Sequence, residues 1–223
     1  MKINEVIEHE ELQSGDLKWL TNQRVKSLAD FIKKNCSQIL DVYRDKEKYL
    51  YRGMKMGHSY VLLASSQDNR KPKDTPENIQ IKIDNRLKEA GFKALRSNSI
   101  FCSSNYYIAA AYSQEGFEGV FIIFPLNGFN FTYNINAGDL YSYYGLKNGN
   151  SRTEMFMHDL ESDIPSSEHF CETYGFRNED LGRAIINYKE VYINGKYIAI
   201  KTKWSKCSDL LDELNLPYYA ETI

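Results

Sequence analysis

The chain is poor in the features that would assign it quickly. Its four cysteines, Cys36, Cys102, Cys171 and Cys207, are widely spaced and include no Cys-x-x-Cys pair. That pattern excludes a zinc ribbon and a compact disulfide framework, so free thiols are expected. No stretch approaches the roughly 20 apolar residues of a membrane-spanning helix. The N-terminus, MKINEVIEHEEL, is charged where a secretory signal needs an apolar run, which predicts a protein made and kept in the cytosol. The formal net charge is only −2 and the pI about 6.1, which removes any general electrostatic attraction for nucleic acid or anionic membranes. A Walker loop and a Rossmann glycine fingerprint are both missing, so the common nucleotide-binding folds are disfavoured.

What is present is ordinary for a globular protein: 223 residues, 42% hydrophobic and 26% charged. One core is the expectation at this length. A single domain is therefore read over 1–223, with an N-terminal helical part over 1–45, a core over 46–204 and a tail over 205–223. The 17 tyrosines and 11 phenylalanines provide more ring surface than such a core needs, so some rings should line a cleft or an interface, unless they are half-buried strand residues.

Periodicity places the elements. Leu20, Val25, Leu28, Ala29, Ile32, Cys36, Ile39 and Leu40 recur near 3.6 residues and predict one amphipathic helix, with Thr21 or Asn22 as its cap. Tyr49-Leu-Tyr-Arg-Gly53 reads as a buried strand that delivers Arg52 to its end, and 65–77 as a long polar loop. Thr75-Pro76 starts a second helix carrying Ile79, Ile83, Leu87 and Ala90 on one face and ending at Gly91. Ser99 to Ser103 is a strand, and Asn105 caps a short helix bearing Ile108, Ala109 and Tyr112. Val120 to Phe124 and Phe129 to Tyr133 are expected to form a hairpin across Pro125-Leu-Asn-Gly128. A second hairpin is expected across Asn194-Gly195, between Glu190–Ile193 and Lys196–Thr202. Short helices and loops are assigned over 138–179, and a last helix over Asp209 to Leu214. The fold class is α+β.

Several chemical signals fail on inspection. Asp159-x-Glu161-x-Asp163 lacks the glycine and distant glutamate of a calcium loop, so a solvated acidic loop is expected. His169-Phe-Cys171 has no second ligand pair, and no metal site is predicted.

The order that remains is a strand ending Tyr51-Arg52-Gly53, a strand Ile100-Phe-Cys-Ser103 with an alanine-rich helix behind it, and a strand opening at Glu190. This order resembles the R-S-E class of mono-ADP-ribosyltransferases, including those of tailed phages, over roughly Tyr49 to Lys201. The strings Arg70-Lys-Pro-Lys-Asp-Thr-Pro76, Leu95-Arg-Ser-Asn-Ser-Ile-Phe-Cys102 and Phe124-Pro-Leu-Asn-Gly-Phe129 also resemble those of tailed-phage proteins.

The resemblance implies an ADP-ribosyltransferase-like split β-sheet core with N-terminal and flanking helices. It implies a phage-encoded transferase that uses NAD as substrate and a host protein or other macromolecule as acceptor, working in the host cytoplasm. The alternatives it leaves open are a catalytically inactive virion or host-interaction protein, with phage structural proteins among its partners, and an NAD glycohydrolase toxin that uses the same pocket with water as acceptor. Carried over by position, Glu190 would stabilise the positive charge that develops as nicotinamide leaves, Arg52 would hold the phosphate or ribose, and Ser103 would be the last serine of the serine motif. Gly53, Ser99, Tyr112 and Phe129 would complete the NAD contacts, with Phe131 and Tyr133 as further stacking candidates. Structural alternatives stand beside these roles: a salt-bridged strand-end arginine, an exposed strand-end acid, and rings packed in the core. Two positions depart from the family. Phe101 occupies the first serine, for which Ser99 or Ser104 could substitute, and Tyr188 occupies the first glutamate, which makes arginine an unexpected acceptor.

Overall fold

A computed structural model describes residues 25–55, 59–71, 75–137, 151–162 and 165–218. The protein is mixed α+β, and its paired strands run antiparallel. It divides into two compact units, one made of 1–65, 103–129 and 196–223, the other of 66–102 and 130–195. The chain crosses between them after Ser65, Cys102, Phe129 and Gly195.

The first unit opens with helices α1 (Val25–Asn35) and α2 (Ser37–Lys46), followed by strands β1 (Tyr51–Gly53) and β2 (Val61–Ser65). The single helix expected near 20–40 is thus two. Leu20 and the expected caps lie outside the described residues. Cys36 breaks the helix at φ −126° and ψ 25°, although its amide still donates to Ile32 O at 2.8 Å and its carbonyl accepts from Leu40 N at 3.1 Å.

The break is stabilised from elsewhere in the chain. Asn127 donates its backbone N–H to Asn35 O (2.6 Å) and its Nδ2 to Lys34 O (3.4 Å), while its Oδ1 accepts from Gln38 N (3.1 Å) and Ser37 Oγ (3.3 Å). One asparagine therefore caps the end of α1 and the start of α2, satisfying backbone groups that every helix terminus leaves open.

Asn127 belongs to the segment expected to close a hairpin, and this corrects that expectation. Strand β4 is Val120–Pro125 and β5 is Asn130–Asn134, but β4 pairs with β1 and with β8 (Lys196–Lys201), whereas β5 pairs in the second unit. The turn between them docks on the helix break instead of joining two neighbouring strands. In the first unit the strand order is β2, β8, β4, β1, with Ser103 paired to Tyr51 at the far side of β1. Val120 to Phe124 are fully buried. Helix α4 (Tyr106–Tyr112) begins at Asn105, whose side chain accepts from Tyr107 N and Ile108 N as expected, and α8 (Cys207–Glu213) is the expected last helix. A membrane-spanning helix is absent among the described residues.

The second unit contains helix α3 (Glu77–Glu89), most of strand β3 (Ile100–Ser103), α5 (Ser151–Glu161), α6 (Ser167–Tyr174), β6 (Phe176–Arg177), α7 (Leu181–Ile186) and β7 (Glu190–Asn194). Its strands run β7, β5, β6. The core combines Ile83 and Leu87 from α3 with Phe156, Leu160, Phe170, Tyr174, Phe176 and Tyr192.

Asp159 and Glu161 lie on α5, not in a loop. Asp159 accepts from Tyr174 OH at 2.8 Å, and this bond holds its carboxyl below the ordinary value. Glu161 pairs with Lys82 at 2.9 Å. Asp163 is outside the described residues.

The second expected hairpin is also corrected. β7 pairs with β5, and β8 pairs with β2 and β4, so the Asn194-Gly195 turn carries the chain from one unit to the other. A local competitor explains it: the Ser66 hydroxyl accepts from Gly195 N (3.1 Å) and Asn194 Nδ2 (3.2 Å), and Ser66 N donates to Gly195 O (3.0 Å). The turn's polar groups are thereby bound to the 66–71 loop.

Candidate functional site

A buried polar cluster of the second unit centres on Arg96, a residue the sequence reading did not single out. Helix α3 ends at Ala90, and the chain turns through Gly91 (φ +83°), which returns its N–H to Lys88 O while Phe92 N reaches Leu87 O. This paired closure needs a left-handed residue, which glycine adopts without steric cost. The following turn is fixed by Asp84 on α3, whose two carboxylate oxygens accept from Arg96 N (2.8 Å) and Ser97 N (3.0 Å). Asn98 adds a bond from Leu95 N to its Oδ1 at 2.8 Å.

The guanidinium of Arg96 is thereby carried into the interior, with its side chain 7% exposed. Its Nη1 donates to Tyr192 OH at 2.6 Å and its Nη2 to Thr75 Oγ1 at 3.0 Å. Its Cζ lies 4.8 Å from the centre of the Phe101 ring and 5.3 Å from that of Tyr192. Glu190 supplies the countercharge, with Oε2 3.7 Å from Nη1 and a side chain 20% exposed. A buried cation needs a countercharge and hydrogen-bond acceptors to be tolerated; Glu190 supplies the first, and the hydroxyls of Tyr192 and Thr75 accept from the two Nη atoms. Burial is the main reason the Tyr192 phenol is held well above its ordinary range, with Arg96 opposing and Glu190 adding to the effect.

Phe101 stands in this cluster where the resemblance would have a serine. The Arg70 guanidinium lies 3.8 Å over its ring centre, and the ring is 4.8 Å from that of Tyr192. Arg70 is held by its N–H to Ser97 O (2.7 Å) and its carbonyl from Gln80 Nε2 (3.0 Å). Arg70 and Thr75 of one string noted in the sequence therefore lie against Arg96, Ser97 and Phe101 of another. The third, 124–129, contains the Asn127 cap of the first unit.

The expected site residues are divided between the units. Arg52, Gly53, Ser103, Tyr112 and Phe129 belong to the first, Ser99 and Glu190 to the second. In the first unit Tyr51 faces Ser103 across the strands and Arg52 faces Phe121, so alternation turns Arg52 and Ser103 to opposite sides of the sheet. Ser103 Oγ accepts from Asn105 N at 3.1 Å. Gly53 is where β1 meets α4: a Cβ there would lie 2.1 Å from Ala109 O, so its open face is filled by the protein's own backbone. Ser99 is buried and donates to Asn98 Oδ1 at 3.0 Å. Tyr112 is exposed and Phe129 half-buried. Phe131 lies opposite Ile193, and Tyr133 is buried opposite Val191.

Tyr188 is exposed and has φ +53°. It closes α7 as Gly91 closes α3, with Tyr188 N to Ile185 O and Lys189 N to Ala184 O. A residue-by-residue reading missed Arg96, Arg70, Thr75 and Tyr192. The one available signal was that the first three lie in the two strings 70–76 and 95–102.

All four cysteines are free and buried, and burial pushes the thiols of Cys36, Cys171 and Cys207 up to about 12. A cluster of three or more metal-ligating side chains is absent among the described residues. The chain matches no protein-family model, no curated protein and no solved structure.

Proposed function

We propose that this is a phage-encoded, ADP-ribosyltransferase-like protein in which Glu190 is the carboxylate that acts on NAD, with a host protein or other macromolecule as acceptor in the host cytoplasm. The observation that carries the reading is the state of Glu190. It opens a buried strand, lies beside the guanidinium of Arg96 and the hydroxyl of Tyr192, and keeps a fifth of its side chain exposed. A carboxylate fixed in this way can accept from a ribose hydroxyl and stabilise positive charge on the anomeric carbon as nicotinamide departs, because its dipolar surroundings are already arranged before reaction. Arg52 would meet charge already present on the phosphates, so it contributes to binding more than to turnover. Tyr188 in place of a second carboxylate directs transfer away from arginine.

Incubation of the purified protein with labelled NAD and host lysate tests the reading. Label should enter a macromolecule. Glu190→Gln should lower turnover by about 10²-fold with little change in NAD affinity, while Arg52→Ala should chiefly weaken NAD binding. Unchanged turnover in Glu190→Gln would refute the assignment.

A second reading is favoured by Phe101. With Arg70 and Arg96 against its ring, the position of the family's first serine is occupied by a packed aromatic, as suits a protein that kept the fold for binding phage structural or host proteins. Absence of NAD binding at millimolar concentration would select this reading.

A further inference from the structure

We infer that Arg96 and Tyr192 are the positioning residues of Glu190, replacing the serine that Phe101 displaces. The inference rests on the proposed role of Glu190, but its geometry stands within the second unit alone.

Glu190 and Tyr192 are alternate residues of β7 and so lie on one side of the strand. The tyrosine hydroxyl accepts from Arg96 Nη1 at 2.6 Å, which leaves its own proton to donate, and the same nitrogen lies 3.7 Å from Glu190 Oε2, which can only accept. Hydroxyl and carboxylate thus meet at one arm of the guanidinium. A serine in a strand offers a carboxylate one donor on a short, rotatable arm. The pair here offers a donor on a rigid ring, oriented from behind by a charged fork.

The fork has little freedom. Its backbone is bound through Asp84, its second arm through Thr75, and its flat face lies near two rings. Bonds of this kind to an ionised group are the strong ones, and they set direction as well as energy. The other charged groups near the node are engaged elsewhere: Asp84 is bound to the amides of Arg96 and Ser97, and Arg70 lies over Phe101.

Tyr192→Phe is the discriminating variant, since it removes the hydroxyl and retains the ring packed on Phe101. Tyr174→Phe is its control: it removes a hydroxyl from the same core that serves a different carboxylate, Asp159. Labelling glutamate side chains with carbon-13 allows the Glu190 carboxyl to be titrated with no NAD present, and Glu190→Gln assigns its signal. In Tyr192→Phe the midpoint should move to higher pH, because the ionised form loses a donor. In Tyr174→Phe it should stay in place. Arg96→Lys keeps a cation but not the two-armed fork, and should also move the midpoint upward. Turnover in Tyr192→Phe should fall about tenfold with KM for NAD unchanged, the size expected when one hydrogen bond to a charged group is lost.

An unmoved midpoint in Tyr192→Phe overturns the inference whether or not the protein transfers ADP-ribose. Equal movement in Tyr174→Phe overturns it too, since that marks a general effect of packing. A midpoint that moves only in Tyr192→Phe and Arg96→Lys, in a protein that consumes no NAD, supports the positioning pair and removes the transferase reading instead.

Discussion

Strand β4 of the first unit carries Val120, Phe121, Ile122, Ile123 and Phe124, all fully buried, whereas β7 of the second opens on a half-buried glutamate and sets a tyrosine hydroxyl against a guanidinium. Both strands contribute buried residues to the cores of their units. The first is held mainly by apolar burial, which has no direction and is roughly proportional to area. The second adds bonds that have direction, so its parts must meet at fixed angles and distances. Apolar packing tolerates exchange of residues of similar volume. A buried polar node tolerates much less, because removing one member leaves the others unpaired in a medium that solvates them poorly.

The sharpest way to break this contrast is to remove the cation. Arg96→Met keeps most of the volume but leaves Tyr192 and Thr75 without their donor and Glu190 without its countercharge. It should cost about 3 kcal/mol in urea unfolding, near the lower end for breaking a buried ion pair because Glu190 is partly hydrated. In the first unit the comparable polar device is smaller: Asn127→Ala should cost about 1–2 kcal/mol, the usual value for losing a cap. Equal costs would show that the two units do not differ as described.

Alkaline pH should weaken both units. Cys36 and Cys207 in the first and Cys171 in the second are pushed up to about 12 from an ordinary 9.0. Between those values the folded state keeps protons that the unfolded chain releases. The stability linked to the thiols is therefore complete below about pH 9 and is lost as pH rises toward 12. Urea midpoints measured at pH 8 and pH 10.5 should fall with pH. Replacing Cys36 by alanine should reduce that slope, whatever it does to the midpoint itself.

The smallest expected effect concerns the two helix ends that share one closure. Gly91 adopts φ +83° with open space where a Cβ would point, while Tyr188 adopts φ +53° with a full side chain. Gly91→Ala should cost about 1 kcal/mol, and Tyr188→Gly should stabilise by about 0.5 kcal/mol, its steric relief being partly offset by a more flexible unfolded chain. Thermal melts of both variants check the sign.

Elements whose signals are local were legible. Helix α3 follows from Thr75-Pro76, the Ile83 and Leu87 face and Gly91, and α4 from the Asn105 cap. Both expected hairpins failed for one reason: a turn sequence states that the chain reverses, not which strand will be its neighbour. Pro125-Leu-Asn-Gly128 carries Asn127 to the helix break, and Asn194-Gly195 is bound by Ser66. The break at Cys36 was invisible because its apolar period continues unbroken across it. Arg96 was passed over because an arginine between Leu95 and Ser97 looks like any solvated turn residue until Asp84 and Tyr192, far away in the chain, are brought to it.

By itself the sequence determined elements such as α3, α4, β4 and β7, their apolar faces, and that the thiols would be free, since each depends on residues within a turn or two or on composition alone. Tertiary structure decided which strands pair, where Arg96 points and what holds Glu190. Those outcomes depend on contacts between residues remote in the chain, and only when such contacts close does the cost of burying a charge become known, because the same guanidinium is cheap in water and tolerable inside only with its partners in place.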